Sequence, residues 1–127
     1  GRPLRFCRSS RTYADAEAIC ADANMRLVSI ASEADWDDVY GRARRRFGDA
    51  AFWIGLDDID DEGTYVWSDG RTWQVGDDEP YERFAGGEPN NYPSAQAVPG
   101  EDCIHTTGDR WNDNVCEAGF SVICEPR

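Results

Sequence analysis

The chain has 127 residues, 25 acidic and 13 basic, and a formal net charge of −12. That length suits one domain, residues 1–127, with a single core. The charge opposes nucleic acid or an anionic membrane surface as partner. No apolar run approaches the roughly 18 residues of a bilayer span, so no membrane insertion is expected. Twelve per cent aromatic residues, five of them Trp, are too many for a disordered chain. Five cysteines with one histidine and no C-x-x-C make zinc a poor fit. Disulfides in an oxidising compartment fit better, so a secreted or extracellular setting is expected. Their pairing stays open at this level. No signal-peptide pattern stands at the N-terminus, and the chain is expected to be soluble, as a mature form or an excised module.

In chain order, Leu4 to Cys7 is a short edge strand. Thr12 then caps a helix, with Asp15 three residues on. The alanine-rich run 14–23 continues that helix, with Ile19, Cys20 and Ala23 on one face, and Asn24 ends it. Leu27-Val28-Ser29-Ile30 is expected as an alternating strand. Ser32 caps a second helix, with Glu33 and Asp35 in its first turn and Trp36, Val39, Tyr40, Ala43 and Phe47 at helical spacing toward the core. Arg42, Arg44, Arg45 and Arg46 crowd the last turn, where they complement the helix dipole. They form either an anion or partner patch or, the reading favoured by so acidic a chain, a solvated helix end. Gly48 is the stop.

Residues 51–56, Ala-Phe-Trp-Ile-Gly-Leu, form a continuous apolar run of strand length, hence a buried central strand. Asp58-x-Asp60-x-Glu62-Gly63 with Asp69 six residues later is close to an EF-hand loop, but that loop needs helices on both sides. Its C-terminal flank is instead the β-prone Thr64-Tyr65-Val66-Trp67, with a turn at Ser68-Asp69-Gly70. From Arg71 to Gly100 periodicity fails, and so long an irregular stretch in a compact domain is usually functional. Residues 103–106 form the next strand, with a turn at Gly108-Asp109. Trp111 starts another strand, and residues 120–124 close the sheet. His105 has no nucleophile tied to it and reads as an ordinary strand residue rather than a general base or pH sensor.

The chemistry concentrates between Glu88 and Asp113, in Glu88-Pro89-Asn90-Asn91, Glu101-Asp102-Cys103 and Trp111-Asn112-Asp113. The acids and amides there all offer oxygen, with no second Cys or His near enough to compete, which suits a hard cation, Ca²⁺ better than Mg²⁺. A carboxylate only accepts hydrogen bonds, whereas an Asn also donates. Acids alternating with amides around one ion match a sugar diol. Each hydroxyl can give a lone pair to the ion, donate to a carboxylate and accept from an amide.

These three elements resemble the sugar-binding region of a C-type lectin domain, in the mannose-type Glu-Pro-Asn pattern. Thr12-Tyr13-Ala14-Asp15-Ala16, Cys20, Leu27-Val28-Ser29-Ile30, Trp53-Ile54-Gly55-Leu56, Trp67-Ser68-Asp69-Gly70 and Val122-Ile123-Cys124-Glu125 extend that resemblance in order along nearly the whole chain. It implies an α+β fold with two helices on small antiparallel sheets and a long calcium-binding loop region. It also implies disulfides Cys20–Cys124 and Cys103–Cys116, leaving Cys7 free or linking two chains. A primary Ca²⁺ falls to Glu88, Asn90, Glu101, Asn112 and Asp113, which are also the sugar contacts. An auxiliary ion falls to Asp58, Glu62, Asn91, Asp102 and the Glu101 carbonyl, so one to two ions or more are expected. Asn91 replaces a common Asp and removes one charge from that second site. Pro89 is expected to follow a cis bond.

The expected function is calcium-dependent binding of mannose, fucose or GlcNAc-type carbohydrate without catalysis. Tyr92 stands where galactose-type members carry a stacking aromatic, and residues 92–100 are the place for unusual specificity. A protein-interaction module with structural calcium is the second reading. A glycosidase pair of Glu88 and Glu101 is the third, opposed because calcium would hold both acids ionised.

Overall fold

The computed structural model describes residues 2–61, 63–74, 81–85 and 102–127. In order the elements are β1 (Arg5–Arg11), α1 (Tyr13–Asp22), β2 (Met25–Leu27), α2 (Glu33–Phe47), β3 (Trp53–Asp57), β4 (Thr64–Trp67), β5 (Thr72–Gln74), β6 (Cys103–Thr107), β7 (Arg110–Asn114) and β8 (Phe120–Pro126). They form a three-stranded sheet, β1-β8-β2, and a five-stranded sheet, β5-β4-β3-β6-β7. All the strand pairings within these sheets are antiparallel. The α+β class with two helices is therefore as expected.

Both helices begin where the sequence places them. The Thr12 hydroxyl accepts from the Asp15 N–H, and the Ser32 hydroxyl from the Asp35 N–H, which satisfies donors that each helix start leaves open. Helix α2 buries Trp36, Val39, Ala43 and Phe47 and ends at Gly48, whose φ of 64° favours glycine. Helix α1 turns differently from expectation. It buries Tyr13, Ala16 and Cys20, while Ala23 becomes its C-cap and Ile19 is only partly covered. Tyr13 anchors that face: its hydroxyl donates to Asp57 Oδ2 at 3.0 Å, and its ring meets Trp53 edge-on at 5.3 Å.

Two expectations need correction. The alternating strand at residues 27–30 is instead β2 ending at Leu27, continued by buried extended chain. The Val28 N–H still donates to the Ile123 carbonyl, but the Ser29 N–H donates to the Glu125 side chain at 2.7 Å rather than to a strand neighbour. The irregular stretch after Arg71 begins with an unexpected strand, β5, paired to β4 with Tyr65 opposite Trp73. Trp73 is buried there against Phe84, rings stacked 4.9 Å apart. The strands that close the fold run one or two residues further than expected, β6 through Thr107 and β8 through Pro126.

The larger core lies between α2 and the five-stranded sheet. Trp111 is its hub, meeting Trp36, Trp67, Tyr81 and Phe84 edge-on at 5.4–5.9 Å. A second cluster packs α1 against β8 and the sulfurs. Cys20–Cys124 joins α1 to β8, and Cys103–Cys116 joins the start of β6 to the turn after β7. Both pairings agree with the resemblance. Cys7 is a half-buried free thiol on β1, 3.8 Å from the Ser9 hydroxyl.

Candidate functional site

The site builds up from the end of the five-stranded sheet where β3 gives out and β6 begins. Asp57 pairs with Cys103 across these strands, so the next residue of one and the preceding residue of the other are neighbours. The Asp58 N–H donates to the Asp102 carbonyl at 3.0 Å. Asp58 is only 3% exposed, and its Oδ2 accepts from the Gly63 N–H at 2.9 Å. Gly63 has a φ of 89° there, a backbone region that side-chain-bearing residues rarely enter. The acidic turn thus folds back over the Asp58 carboxylate. Two of the five residues assigned to the auxiliary ion, Asp58 and Asp102, stand together.

An EF-hand is excluded at this place. Strand β3 precedes the acidic turn and β4 succeeds it, so neither flanking helix exists. Asp57, just before it, serves the core instead. Burial raises its carboxyl above the usual range, against hydrogen bonds from the Ile59 N–H and the Tyr13 hydroxyl.

Strand β7 carries the last part of the site. It is an edge of the five-stranded sheet, and its side chains alternate between faces. Asp113 is fully buried. Asn112 is half-buried, and its Oδ1, itself shielded from solvent, has no hydrogen-bond partner among the described residues. A buried amide oxygen without a donor is costly, and a cation satisfies it as a donor would.

The segment 81–85 reaches that edge. Phe84 bridges Trp111 in parallel sense, the Trp111 N–H donates to the Arg83 carbonyl, and the Ala85 N–H donates to the Trp111 carbonyl, both at 2.9 Å. The chain therefore leaves Ala85 beside Asn112, three residues before Glu88. The sequence did not mark this guide. Its signal was Phe84 standing alone among polar residues just before Gly86-Gly87, which is too short a pattern for periodicity to detect.

Glu62, Glu88, Asn90, Asn91, Tyr92 and Glu101 lie outside the described residues, as do the Glu88–Pro89 bond and the 92–100 segment. Among the described residues, no three His, Cys, Asp or Glu side chains stand close enough to hold a metal. The remaining assigned carboxylates, Glu88 and Glu101 for the primary ion and Glu62 for the auxiliary one, lie outside the described residues. What the described residues contribute is all oxygen: Asp58 and Asp102 at one place, Asn112 and Asp113 at the other. That donor chemistry fits a hard cation.

His105 faces the other way from any catalytic use. It is buried, stacked on Phe120 at 4.2 Å and bonded through Nδ1 to the Thr106 carbonyl at 2.7 Å. Burial lowers its pKa below the ordinary histidine value, against the Thr106 carbonyl and the Asp113 charge, which raise it.

Two helices against two antiparallel sheets, two disulfides and oxygen-bearing loops at one sheet end define a small disulfide-bonded binding domain. The chain belongs to the C-type lectin domain family, whose profile, "Lectin C-type domain", matches residues 9–126. It is 33% identical over 121 residues to human C-type lectin domain family 10 member A, covering 94% of this chain and 35% of that protein. The chain thus spans about a third of the length of that curated relative. Its structure is similar to the human scavenger receptor C-type lectin carbohydrate-recognition domain, with a TM-score of 0.81, 28% identity and coverage of 96% of this chain and 88% of that one. It is also similar to the cow CD23 carbohydrate-recognition domain determined in the presence of a GlcNAc2Man3 oligosaccharide, with a TM-score of 0.76, 28% identity and coverage of 95% and 84%. This is a family of non-enzymatic lectin domains, which removes the glycosidase reading of Glu88 and Glu101.

Proposed function

We propose that this domain binds carbohydrate through a calcium ion held at the β7 edge by Glu88, Asn90, Glu101, Asn112 and Asp113. The observation that supports it most is the shielded Asn112 Oδ1, without a hydrogen-bond partner among the described residues, next to buried Asp113. When bound, the ion supplies a Lewis-acidic anchor for two adjacent hydroxyls. The chain's own groups then read those hydroxyls: carboxylates accept their protons, and the amides of Asn90 and Asn112 donate to their lone pairs.

The Glu88-Pro89-Asn90 order supports vicinal equatorial hydroxyls of the mannose, fucose or GlcNAc type. Asp58, Glu62, Asn91, Asp102 and the Glu101 carbonyl hold an auxiliary ion that orders the loop. The two disulfides support a secreted or extracellular setting. The half-buried Cys7 thiol is the candidate link between two chains, and a non-reducing gel decides whether it forms one.

The test is a glycan array in calcium, repeated with chelator. Signal on mannose or fucose ligands that disappears with chelator is the expected result. Chelator-sensitive signal on galactosides would keep the mechanism and move the specificity to Tyr92 and the 92–100 segment. Silence in both conditions, with folded and calcium-loaded protein, would overturn the carbohydrate reading in favour of a protein-interaction module.

A further inference from the structure

The basic cluster at the end of α2 is larger in the fold than in the sequence. Nine of the thirteen arginines lie in the first fifty residues, together with only eight of the twenty-five acids. The packing of β1 beside α2 gathers several of them. The Phe6 ring on β1 meets Phe47 of α2 edge-on at 5.8 Å. Two guanidiniums converge on that same ring, Arg46 at 4.9 Å and Arg42 at 5.6 Å from its centre. An aromatic face attracts a cation, but two cations on one ring repel each other, and a bound anion relieves that repulsion.

The surrounding charges are only partly neutralised. Arg42 is tied to Asp38, and Arg44 to Asp49. Among the described residues, Arg5, Arg8, Arg11, Arg45 and Arg46 form no ion pair with a carboxylate, and all five are exposed. Arg5, Arg8 and Arg11 all lie on β1, an outer strand of its sheet, whose pairing with β8 is irregular between Cys7 and Arg11. Five exposed arginines without an ion pair, in a chain of net charge −12, are a local exception to the whole molecule's field.

We infer that the β1–α2 seam is a second binding surface, separate from the calcium loops, and that it takes a sulfated polysaccharide chain. Sulfate groups match the planar guanidinium fork, which binds oxyanions in two-point fashion. A narrow, flexible anionic chain can track β1 without approaching the acidic remainder of the domain. A flat anionic membrane would bring that remainder against its own charge. A nucleic acid strand needs open aromatic faces for its bases, and the seam's ring, Phe6, is covered by Arg42 and Arg46.

The test is retention of the purified domain on immobilised heparin in the presence of chelator, eluted by a salt gradient. The parent is expected to be retained at physiological salt. The Arg8→Glu/Arg46→Glu double variant is expected to bind at least tenfold more weakly. Arg46→Lys, which keeps the charge and loses the fork, is expected to fall between them. An Arg110→Glu/Arg127→Glu variant with the same charge change elsewhere should stay within about twofold of the parent. Thermal unfolding of each variant checks that all remain folded. Three results would each overturn the proposal: no retention of the parent, equal weakening in the Arg110/Arg127 control, or retention only with calcium. Binding to vesicles of anionic phospholipid or to single-stranded DNA but not to heparin would also overturn it.

Discussion

Glu125 shows how one buried charge organises several segments. It is 1% exposed and receives the Ser29 N–H at 2.7 Å, the Ser29 hydroxyl at 2.8 Å, the Arg26 Nε at 2.7 Å and the Arg2 guanidinium. These bonds pin the N-terminus, β2 and the chain after it onto β8. Glu125→Ala would leave those donors facing an apolar hole. Removing one member of a buried pair costs about 3–5 kcal/mol, and the low end applies because Arg2 and Arg26 keep water contact. Urea unfolding should therefore show a loss of about 3 kcal/mol, and a loss under 1 kcal/mol would mean the network is replaceable. His105 gives the pH counterpart. Burial keeps it neutral in the fold, with a pKa below the unfolded value of about 6.5. Its contribution is present above the unfolded pKa and is lost as pH falls through that value toward the folded one. In chelator, His105→Gln should flatten the decline in thermal midpoint between about pH 7.5 and pH 5; identical slopes in parent and variant would refute the buried-neutral assignment.

At the scale of elements, the sequence was legible where one local rule decided the outcome. Thr12 and Ser32 announce their helices because capping is a side-chain act within three residues. The periodicity of α2 is clear because one face meets one core. Residues 27–30 misled because all four are buried, so burial there carries no alternation. Strand β5 escaped notice because it is three residues long and owes its place to Trp73 packing on Phe84, a contact between distant segments. The tilt of α1 is set by Tyr13 and its bond to Asp57, which no helical pattern contains. At the site, residue type singled out Asn112 and Asp113 as candidates, but the route by which Phe84 and Ala85 bring the chain to them left no mark in the sequence. The two disulfides act at this scale too. In the chain-entropy model Cys20–Cys124, separated by 104 residues, contributes about 4–5 kcal/mol, and Cys103–Cys116, separated by 13, about 3 kcal/mol. Cys20→Ala/Cys124→Ala should lower urea stability by more than Cys103→Ala/Cys116→Ala does. The reverse order would show that the shorter link acts through the loop it holds rather than through chain entropy.

At the scale of the whole molecule, packing explains the core, and the proposed calcium ion would add a second source of stability. The core fills the space between α2 and the sheet with aromatic rings, while the acidic turn and the 86–101 segment offer Asp, Glu, Asn, Gly and Pro and little apolar surface to bury. On the proposed reading, the carboxylates that share an ion repel one another in a chain of net charge −12, and a divalent cation that binds the folded state alone relieves that repulsion. The coupling has a definite size: a ligand at about 100 times its Kd stabilises by about 2.7 kcal/mol, which for a domain of this length raises the thermal midpoint by about 10 °C. Removing calcium with chelator should lower the midpoint by that order, and Asn112→Ala should reduce the calcium-induced rise while leaving the chelated midpoint close to that of the parent. Asp58→Asn should also reduce the rise but keep some calcium-dependent sugar binding, because the proposal gives Asp58 to the auxiliary ion. Magnesium at equal concentration should give a smaller shift, since it prefers a compact octahedral shell over flexible loop oxygens. No calcium-induced shift in the parent would remove the metal from the proposed mechanism, whatever sugars the domain binds.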